Sequence, residues 1–321
     1  MSSTSSVGEF DLIDILLQSI PSHLRQDGHL LVGAGDDAAA LSSLVCPVIT
    51  TDAQHESVHF YRHWLSPRDL GYKAVMVCLS DLAASYAFPR GLFINLGVPA
   101  GINHEYLCQL YRGVGSALEA CGGQLGGGNI SSSERLSIDL FAVGEGYAPM
   151  PQRGHAHVGQ IVCATGVLGQ ARGALHGLLH GNEVAPELLQ AFVAPRARFD
   201  AAAVLNRCGV RTVMDISDGL AGDCSKIARA SGVSIQLAPE HFVVPAALQR
   251  YALENNREPR EFIIGGGEDY ELLFTCDEHQ LGQICELLPD VMIVGHVVPE
   301  GDTPVIGGAV SSYIHGTGWT P

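Results

Sequence analysis

The sequence is poor in charge, and most of the charge that it has is negative. Asp, Glu, Lys and Arg make up 16% of the 321 residues, where about a quarter is usual. Lys and Arg number 18 against 34 Asp and Glu, so the formal net charge is −16. No basic stripe of the kind that nucleic-acid binders carry is visible, and an anionic membrane would repel the chain. So little charge favours an oligomer, although an Ala- and Gly-rich monomer would have a similar composition.

The cysteines and the apolar runs exclude further classes of protein. The nine cysteines form no CxxC pair and no zinc-type spacing with histidine, a pattern that indicates buried free thiols in a reducing compartment. No apolar run approaches the length of a membrane span. The first residues, MSSTSSVGEFDLIDILL, have no basic segment and carry acids among the apolar positions, so they do not read as a signal peptide. We therefore expect a soluble, cytoplasmic protein.

Three sequence motifs of nucleotide-binding and hydrolytic enzymes are missing. There is no GxxxxGK[ST], no GxGxxG between a strand and a helix, and no GxSxG. Their absence argues against a P-loop enzyme, a Rossmann site and a hydrolase with a nucleophile elbow. If the substrate is a phosphate, something other than bulk charge or a P-loop must attract it.

The chain is long enough for two domains, and the pattern of apolar residues divides it. In the first half, helices are expected from 66 to 87 and in HEYLCQLYRGVGSALEACG, and strands in LLVGAGDDAAAL, PVITTDAQHESVHF, GLFINLGVP and SIDLFAVGEGY. GGGNI, from Gly126 to Ile130, is interpreted as a glycine loop that lets the backbone approach a ligand. Residues 147 to 159 are rich in Pro, Gly and His and lack periodicity, so they predict a boundary between domains 1–150 and 151–321.

The second half repeats the mixture of helices and strands. Strands are expected in QIVCATGVLG and DVMIVGHVV. VRTVMDISDGL is expected to be a strand running into a helix, and EFIIGGGEDYELLFTC a glycine-rich turn into a strand. Helical patterns fill 170 to 209. Mixed elements in both halves predict a two-domain protein of the α/β (α+β) class.

Acidic residues gather at turns beside small residues. Five motifs, GAGDDAA, TTDAQHE, LSDLAA, MDISDG and GGEDYE, supply the acids Asp36, Asp37, Asp52, Glu56, Asp81, Asp215, Asp218, Glu268 and Asp269. Turn and cap propensity explains any one of these motifs, but not five in one chain. Mg²⁺ takes oxygen ligands and binds through a few carboxylates together with substrate phosphates. The sequence therefore predicts a phosphate-handling site with several Mg²⁺ ions.

The DISDG motif illustrates this reading. Asp215 is expected to end a strand, and Ser217 or Asp218 to cap the helix that begins in LAGDCSKIARA. A phosphate could share the same helix N-terminus. His59 lies in what reads as an alternating strand, where a lone histidine is more often structural than functional.

The motifs resemble those of the thiamine-monophosphate kinase family. GEFDLI (8–13), GAGDDAA (33–39), TTD followed by ESVHF (50–60), GYKAVMVCLSDLAA (71–84), MDISDGL (214–220) and GGGEDYELLFT (265–275) occur in that family's order. The resemblance runs from Gly8 to about Thr275, with a weaker match at Gly318 and Trp319. It places the chain among the ATP-binding proteins that resemble aminoimidazole ribonucleotide synthetase.

The resemblance implies a fold and a reaction. The N-terminal α/β domain would bind ATP and Mg²⁺ and form a homodimer through its sheet, and the C-terminal α/β domain would pack beside it and complete the active site. ATP and thiamine monophosphate would give ADP and thiamine diphosphate by direct in-line phosphoryl transfer with several Mg²⁺ ions. Neither a covalent phospho-enzyme nor a catalytic side chain is expected, because positioning and metal ions carry the chemistry.

The resemblance also implies roles for individual residues. The positions that fall where the family binds metal are Asp37, Thr50, Thr51, Asp52, Asp81, Asn129, Asp215 and Asp218. Those that fall where it binds ATP are Tyr111, Gly128, Asn129, Arg153 and Ser217. His59, Glu268 and Trp319 fall where it binds the thiamine phosphate, and an aromatic face such as that of Trp319 can stack on a cationic thiazolium.

The chain departs from the family pattern in two places. It has GGNISSS where the family usually has GGDTTRG, so Asn129 replaces a metal-binding Asp and the following Arg is missing. The usual RSGAKPGD becomes RGHAHVGQ, which keeps Arg153 but places His157 and Gln160 at the Lys and Asp positions. An Asn oxygen can bind a metal without contributing charge. Two alternatives follow: a related ATP-dependent enzyme with another acceptor, and a nucleotide-binding homologue with weakened turnover.

Overall fold

The computed structural model describes residues 9–26 and 28–308. This part of the chain divides into two compact units, the first formed by residues 9–82 and 87–148 and the second by 83–86 and 149–308. Both units combine helices with sheets, which confirms the predicted mixed α/β class. Gly8, Gly318 and Trp319 lie outside the described residues. Within the described ranges, no helix is both long enough and apolar enough to cross a membrane.

The first unit contains a four-stranded sheet. Its elements, with α2 continuing two residues into the second unit, are α1 (Glu9–Gln18), β1 (Leu30–Val32), β2 (Ala40–Leu41), β3 (Pro47–His55), α2 (Pro67–Ala84), β4 (Ala87–Val98), α3 (His104–Cys121), β5 (Leu125–Ser132) and β6 (Ser137–Gly146). The strand order is β3-β6-β4-β5, antiparallel except for the parallel pair β4 and β5. β1 and β2 form a separate antiparallel pair.

The two faces of this sheet differ in burial because successive residues of a strand point to opposite sides. Ile138, Leu140 and Ala142 of β6 are buried. Ile49 and Phe141, on the other face, are 60% and 39% exposed. One face of the sheet therefore belongs to the core of the unit, and the other presents apolar side chains to its surroundings.

Helices α2 and α3 begin where the sequence signals predict. The Ser66 hydroxyl accepts the Asp69 N–H at 3.1 Å and donates to the Asp69 carboxylate at 2.7 Å just before α2. Asn103 caps α3 by accepting the Tyr106 N–H at 2.9 Å. α3 ends at Gly122, whose φ of 76° is in the left-handed region that glycine adopts readily.

The two helices cross at glycines. A Cβ on Gly71 of α2 would lie 2.0 Å from the Leu110 carbonyl oxygen, and one on Gly113 of α3 would lie 1.9 Å from the Arg68 carbonyl oxygen. Backbone therefore meets backbone at this crossing, and any side chain would force the helices apart.

Two local predictions were wrong, and a third was confirmed. Gly126 to Ile130 do not form a loop but lie within β5, where they pair with β4. His59 follows the end of β3 in a turn rather than lying in a strand. The predicted glycine-rich turn into a strand is confirmed, since residues 272–276 are extended, and Pro259–Ile264 just before the glycines are helical.

The second unit contains a six-stranded sheet with helices. Its elements are β7 (Ile161–Ala164), α4 (Gln170–His180), α5 (Pro186–Val193), α6 (Phe199–Arg207), β8 (Thr212–Asp215), α7 (Leu220–Ser231), β9 (Ser234–Leu237), α8 (Ala246–Glu254), α9 (Pro259–Ile264), β10 (Leu272–Cys276), α10 (Glu278–Leu287), β11 (Met292–Val298) and β12 (Val305–Ile306). The strand order is β12-β9-β11-β7-β10-β8, antiparallel except for β12 and β9. Leu205, Phe274 and Ile284 are fully buried in one core cluster of this unit.

The helix crossing yields a stability prediction. Replacing glycine by alanine inside a helix normally stabilises it by about 1 kcal/mol. We expect Gly113→Ala to do the opposite and to lower the free energy of unfolding by on the order of 1–3 kcal/mol, because the new methyl group meets the Arg68 carbonyl. The measurement is urea unfolding monitored by circular dichroism.

Gly115→Ala is the matched control, since a Cβ at Gly115 would meet nothing closer than Pro21 Cδ at 3.5 Å. It should be neutral or stabilising. If the two substitutions had equal effects, close contact with the Arg68 carbonyl would not be the reason for glycine at position 113.

Candidate functional site

Three oxygen-bearing residues converge in the first unit. Thr50 and Asp52, two residues apart on β3, share one face of the strand. The Thr50 hydroxyl donates to the Asp81 carboxylate on α2 at 2.6 Å. Burial raises the pKa of the Cys78 thiol, and the nearby Asp52 and Asp81 carboxylates raise it further. The structure therefore brings Thr50, Asp52 and Asp81 together around a buried neutral thiol.

Thr51 lies differently from its two neighbours. It pairs with Phe141 across the sheet, and strand alternation places its side chain on the exposed face. Thr51 could therefore share an ion with Thr50 and Asp52 only through its backbone.

A pocket in the first unit is lined by residues predicted to bind ATP. It holds about 460 Å³ of empty volume, including the space at its open mouth, and Tyr111, Gly128 and Asn129 all line it. Leu16 and Leu17 of α1 add apolar surface to its walls. Burial raises the pKa of Tyr111 to about 12, so its phenol is neutral at physiological pH. The pocket thus combines apolar walls with a few polar groups, as small-molecule sites usually do.

The three glycines of GGGNI have different surroundings. A Cβ on Gly128 would lie 2.1 Å from the Ile94 carbonyl oxygen, and one on Gly126 would lie 2.7 Å from the Phe93 ring. A Cβ on Gly127 would meet only the same ring, at 3.8 Å. Close packing against β4 therefore accounts for Gly126 and Gly128, and steric need does not account for Gly127, which also lines the pocket.

The Asp36–Asp37 doublet contributes an acid to this pocket. Asp36 lines the pocket, and its carboxylate accepts the Asp37 N–H at 2.8 Å. The sequence motifs placed Asp36 among the acids of a cation site, whereas the family resemblance selected only Asp37 as a metal ligand. The doublet itself was the available signal, because either acid could face a ligand.

In the second unit, the DISDG and GGEDYE motifs meet. Asp215 is the last residue of β8, as predicted, and is buried. The Glu268 N–H donates to the Ser217 carbonyl at 3.0 Å. Glu268 is also buried, and its φ of 73° is in the left-handed region. Such a conformation persists in a non-glycine residue only when its surroundings fix it.

The expected cap of α7 was wrong. Neither Ser217 nor Asp218 caps the helix, whose N-cap is Gly219 with a φ of 98° and no side-chain bond. Instead the Asp223 carboxylate, inside the first turn, accepts the N–H groups of Ser217 at 3.0 Å and Asp218 at 3.1 Å. The loop N–H groups therefore donate to a carboxylate of the helix, whereas in an ordinary N-cap the helix N–H groups donate to a side chain of the loop.

Asp223 and Lys226 are the residues that sequence reasoning missed. Lys226 donates to the Asp218 carboxylate at 2.5 Å and to the Asp223 carboxylate at 2.8 Å. Burial raises the pKa of Asp223 to about 6, although Lys226 acts in the opposite direction. Burial acts to lower the pKa of Lys226, but the two carboxylates outweigh it and the net shift is upward. The available signal was one helical turn between Asp223 and Lys226 on the helix that follows DISDG.

The remaining predicted residues lie as follows. His59 is buried, and its Nδ1 accepts the His55 N–H at 3.0 Å. Arg153 is exposed in a short 3₁₀ helix of the second unit. Gln160, at the position where the family has Asp, is buried and accepts hydrogen bonds from the Thr275 hydroxyl at 2.7 Å and the His157 N–H at 3.2 Å. Gln160 therefore contributes to internal hydrogen bonding.

The donor chemistry fits Mg²⁺. Thr50, Asp52 and Asp81 in the first unit, and Asp218 in the second, offer only hard oxygen atoms. Across residues 9–26 and 28–308, no three His, Cys, Asp or Glu side chains form a group that could hold a metal unaided. Mg²⁺ is commonly held by one or two carboxylates with waters and substrate phosphates, so these residues suit an ion that arrives with a phosphate ligand.

Comparison with known proteins identifies the family. Residues 35–146 match the model of the AIR synthase related protein, N-terminal domain. A thiamine-monophosphate kinase of Aquifex aeolicus (strain VF5) is 35% identical over 276 residues, covering 84% of this chain and 86% of that protein.

Solved structures agree with this match. AaThiL complexed with AMPPCP and TMP has a TM-score of 0.77 and 32% identity, covering 98% of this chain and 99% of that one. The thiamine-monophosphate kinase of Stenotrophomonas maltophilia K279a has a TM-score of 0.80 and 25% identity, covering 97% and 99%. The sequence motifs, the fold and these relatives lead to one conclusion: the chain belongs to the thiamine-monophosphate kinase family.

Proposed function

We propose that this protein transfers the γ-phosphoryl group of ATP to thiamine monophosphate. The observation that carries the proposal is the pocket lined by Tyr111, Gly128 and Asn129, in a chain 32% identical to AaThiL, which was solved with AMPPCP and TMP. AMPPCP is an analogue of ATP, so a relative that holds both molecules supports a reaction between a nucleotide and thiamine monophosphate.

The reaction exchanges one phosphorus–oxygen bond for another. A phosphate oxygen of thiamine monophosphate forms a bond to the γ-phosphorus of ATP, and the bond between that phosphorus and the β–γ bridging oxygen breaks. ADP leaves with the electron pair, and the products are ADP and thiamine diphosphate. The transfer is direct and in line, so no side chain of the protein carries the phosphoryl group.

The side chains position the reactants and neutralise charge. Tyr111, Gly128 and Asn129 would hold the nucleotide, and Ser217 and Arg153 would contact its phosphates. His59, Glu268 and Trp319 would hold thiamine monophosphate.

Metal ions are the second part of the proposal. The residues that would hold Mg²⁺ are Asp37, Thr50, Thr51, Asp52, Asp81, Asn129, Asp215 and Asp218. When bound, the ions would offset the repulsion between these carboxylates and the phosphates. This role matters in a chain whose net charge is −16.

We also propose a cytoplasmic homodimer. All nine cysteines are free thiols, which suits a reducing compartment. The exposed Ile49 and Phe141 on the open face of the first unit's sheet give an apolar surface that a second copy could cover.

The direct test of the function is ADP release by the purified protein at saturating Mg²⁺, with and without thiamine monophosphate. We expect release to depend on thiamine monophosphate, and Asp218→Asn to lose nearly all of it while keeping the wild-type melting temperature. ADP release that does not depend on thiamine monophosphate would favour another acceptor. Absence of release together with tight nucleotide binding would favour a homologue with weakened turnover.

Asn129→Asp tests the proposed metal role of the departure from the family pattern. The substitution adds a carboxylate to the pocket wall, so we expect the Mg²⁺ concentration for half-maximal rate to fall about tenfold. The measurement is the rate of ADP release across an Mg²⁺ titration.

The control for Asn129→Asp is Asn95→Asp, which adds the same charge at the residue paired with Asn129 on β4. It should change the Mg²⁺ dependence less. An unchanged dependence in Asn129→Asp, or equal changes in both variants, would mean that Asn129 is not a metal ligand.

Phe141→Glu tests the homodimer. A charge at the centre of the open sheet face should convert dimer to monomer in analytical ultracentrifugation, because burying an unpaired carboxylate is costly. Leu253→Glu is the control, since Leu253 is 63% exposed on α8 of the second unit. A monomeric wild type, or a Phe141→Glu variant that stays dimeric, would exclude this interface.

A further inference from the structure

The carboxylates of Asp218 and Asp223 share one ammonium group. Lys226 contacts Asp218 Oδ2 at 2.5 Å and Asp223 Oδ1 at 2.8 Å. The Asp223 side chain has 0% exposure, whereas those of Lys226 and Asp218 are 37% and 22% exposed. One of the two ion pairs therefore ends in the interior, and the other lies between partly exposed groups.

The two ion pairs differ in what depends on them. Asp223 Oδ2 accepts two backbone N–H groups, so its carboxylate is fixed by the loop and needs a buried counter-charge. Asp218 is a proposed metal ligand and must face its ion. Lys226 can give up Asp218 and still keep its charge-assisted bond to Asp223.

Helix stabilisation does not explain the position of this ammonium group. A cation is unfavourable near the N-terminus of a helix, where the helix dipole is positive, yet Lys226 reaches back from within α7 to the loop that precedes it. Lysine is also rare in this chain, because only Lys73 and Lys226 among the 18 basic residues are lysines. A compact ammonium with three rotatable donors can bridge two differently oriented carboxylates, whereas a guanidinium is a rigid planar fork.

We propose that Lys226 is a positioning residue that occupies the place of a divalent cation at Asp218. Its ammonium neutralises and orients the Asp218 carboxylate when no ion is bound, and yields that carboxylate to the ion when it arrives. This inference rests on the proposed function only through the metal role of Asp218. Metal binding at Asp218 then includes displacement of the Lys226 ammonium by the divalent ion.

The first experiment measures metal binding rather than activity. Mn²⁺ is titrated into the full-length wild type and Lys226→Met, with and without AMPPCP, and free Mn²⁺ is followed by electron paramagnetic resonance. Methionine keeps the length and apolar character of the lysine stem but removes the charge. Because the variant lacks the competing cation, we expect its dissociation constant for Mn²⁺ to fall about tenfold.

Two variants separate this role from a general effect of charge. Arg229→Met removes one positive charge from an exposed position on the same helix and should bind Mn²⁺ as the wild type does. Lys226→Arg keeps a competing cation but not the geometry that bridges both carboxylates, so its dissociation constant should lie between those of the wild type and Lys226→Met. The proposal is overturned if the wild type and Lys226→Met bind Mn²⁺ equally tightly, or if neither binds it detectably. It is also overturned if Arg229→Met gains as much Mn²⁺ affinity as Lys226→Met.

A measurement on the wild type covers the case in which Lys226→Met does not fold. Reductive methylation with ¹³C-formaldehyde labels accessible lysine amines and preserves their charge. With Lys73 buried, the principal side-chain signal should come from Lys226, and Lys226→Arg assigns it by its disappearance. We expect this signal to shift when Mg²⁺ is added, and a signal that stays in place while Mn²⁺ binding saturates contradicts the exchange.

Failure of this inference is distinguishable from failure of the proposed function. The wild-type assay for ADP release decides whether thiamine monophosphate is the acceptor, and it does not depend on Lys226. A wild type that turns over thiamine monophosphate, together with unchanged Mn²⁺ binding in Lys226→Met, removes only the role of Lys226. Tighter Mn²⁺ binding by Lys226→Met, together with a wild type that does not turn over thiamine monophosphate, contradicts only the proposed acceptor.

Discussion

The buried carboxylate of Asp223 holds the loop that contains Ser217 and Asp218 in place. One of its oxygens receives the N–H groups of Ser217 and Asp218, and the other receives Lys226. Ser217 in turn accepts the N–H of Glu268 through its carbonyl. A buried carboxylate must have its hydrogen bonds satisfied, so satisfying Asp223 also fixes the backbone that presents the proposed phosphate and metal contacts.

Local sequence signals predicted the regular elements better than their ends. The apolar spacing and Ser66 located α2, and strand alternation located β6, since both depend on short-range periodicity. GGGNI was misread because glycines usually mark a turn. Here Gly126 and Gly128 lie in a strand whose neighbour leaves no room for a Cβ. That requirement comes from Phe93 and Ile94, more than thirty residues away in the sequence, and the run itself does not contain it.

For the candidate site, the sequence likewise identified residues but not their contacts. Motifs named the acids, and strand alternation accounts for Thr50 and Asp52 lying on one face. What no motif specified is which groups meet those acids in space. Asp223 and Lys226 lie on the helix after DISDG, and their role depends on a loop that bends back over the first turn of α7. Helix spacing alone places them on one face but does not show that the loop comes within hydrogen-bond distance.

The position of β5 in its sheet links the pocket lined by Tyr111 and Asn129 to the surroundings of the first unit. In the strand order β3-β6-β4-β5, β5 is an outer strand, and an outer strand exposes backbone groups that another chain can pair with. The same strand supplies Gly127, Gly128, Asn129 and Ile130 to the pocket wall. Any segment that adds to this edge therefore lies directly beside the pocket, and it can restrain or distort the wall without entering the cavity.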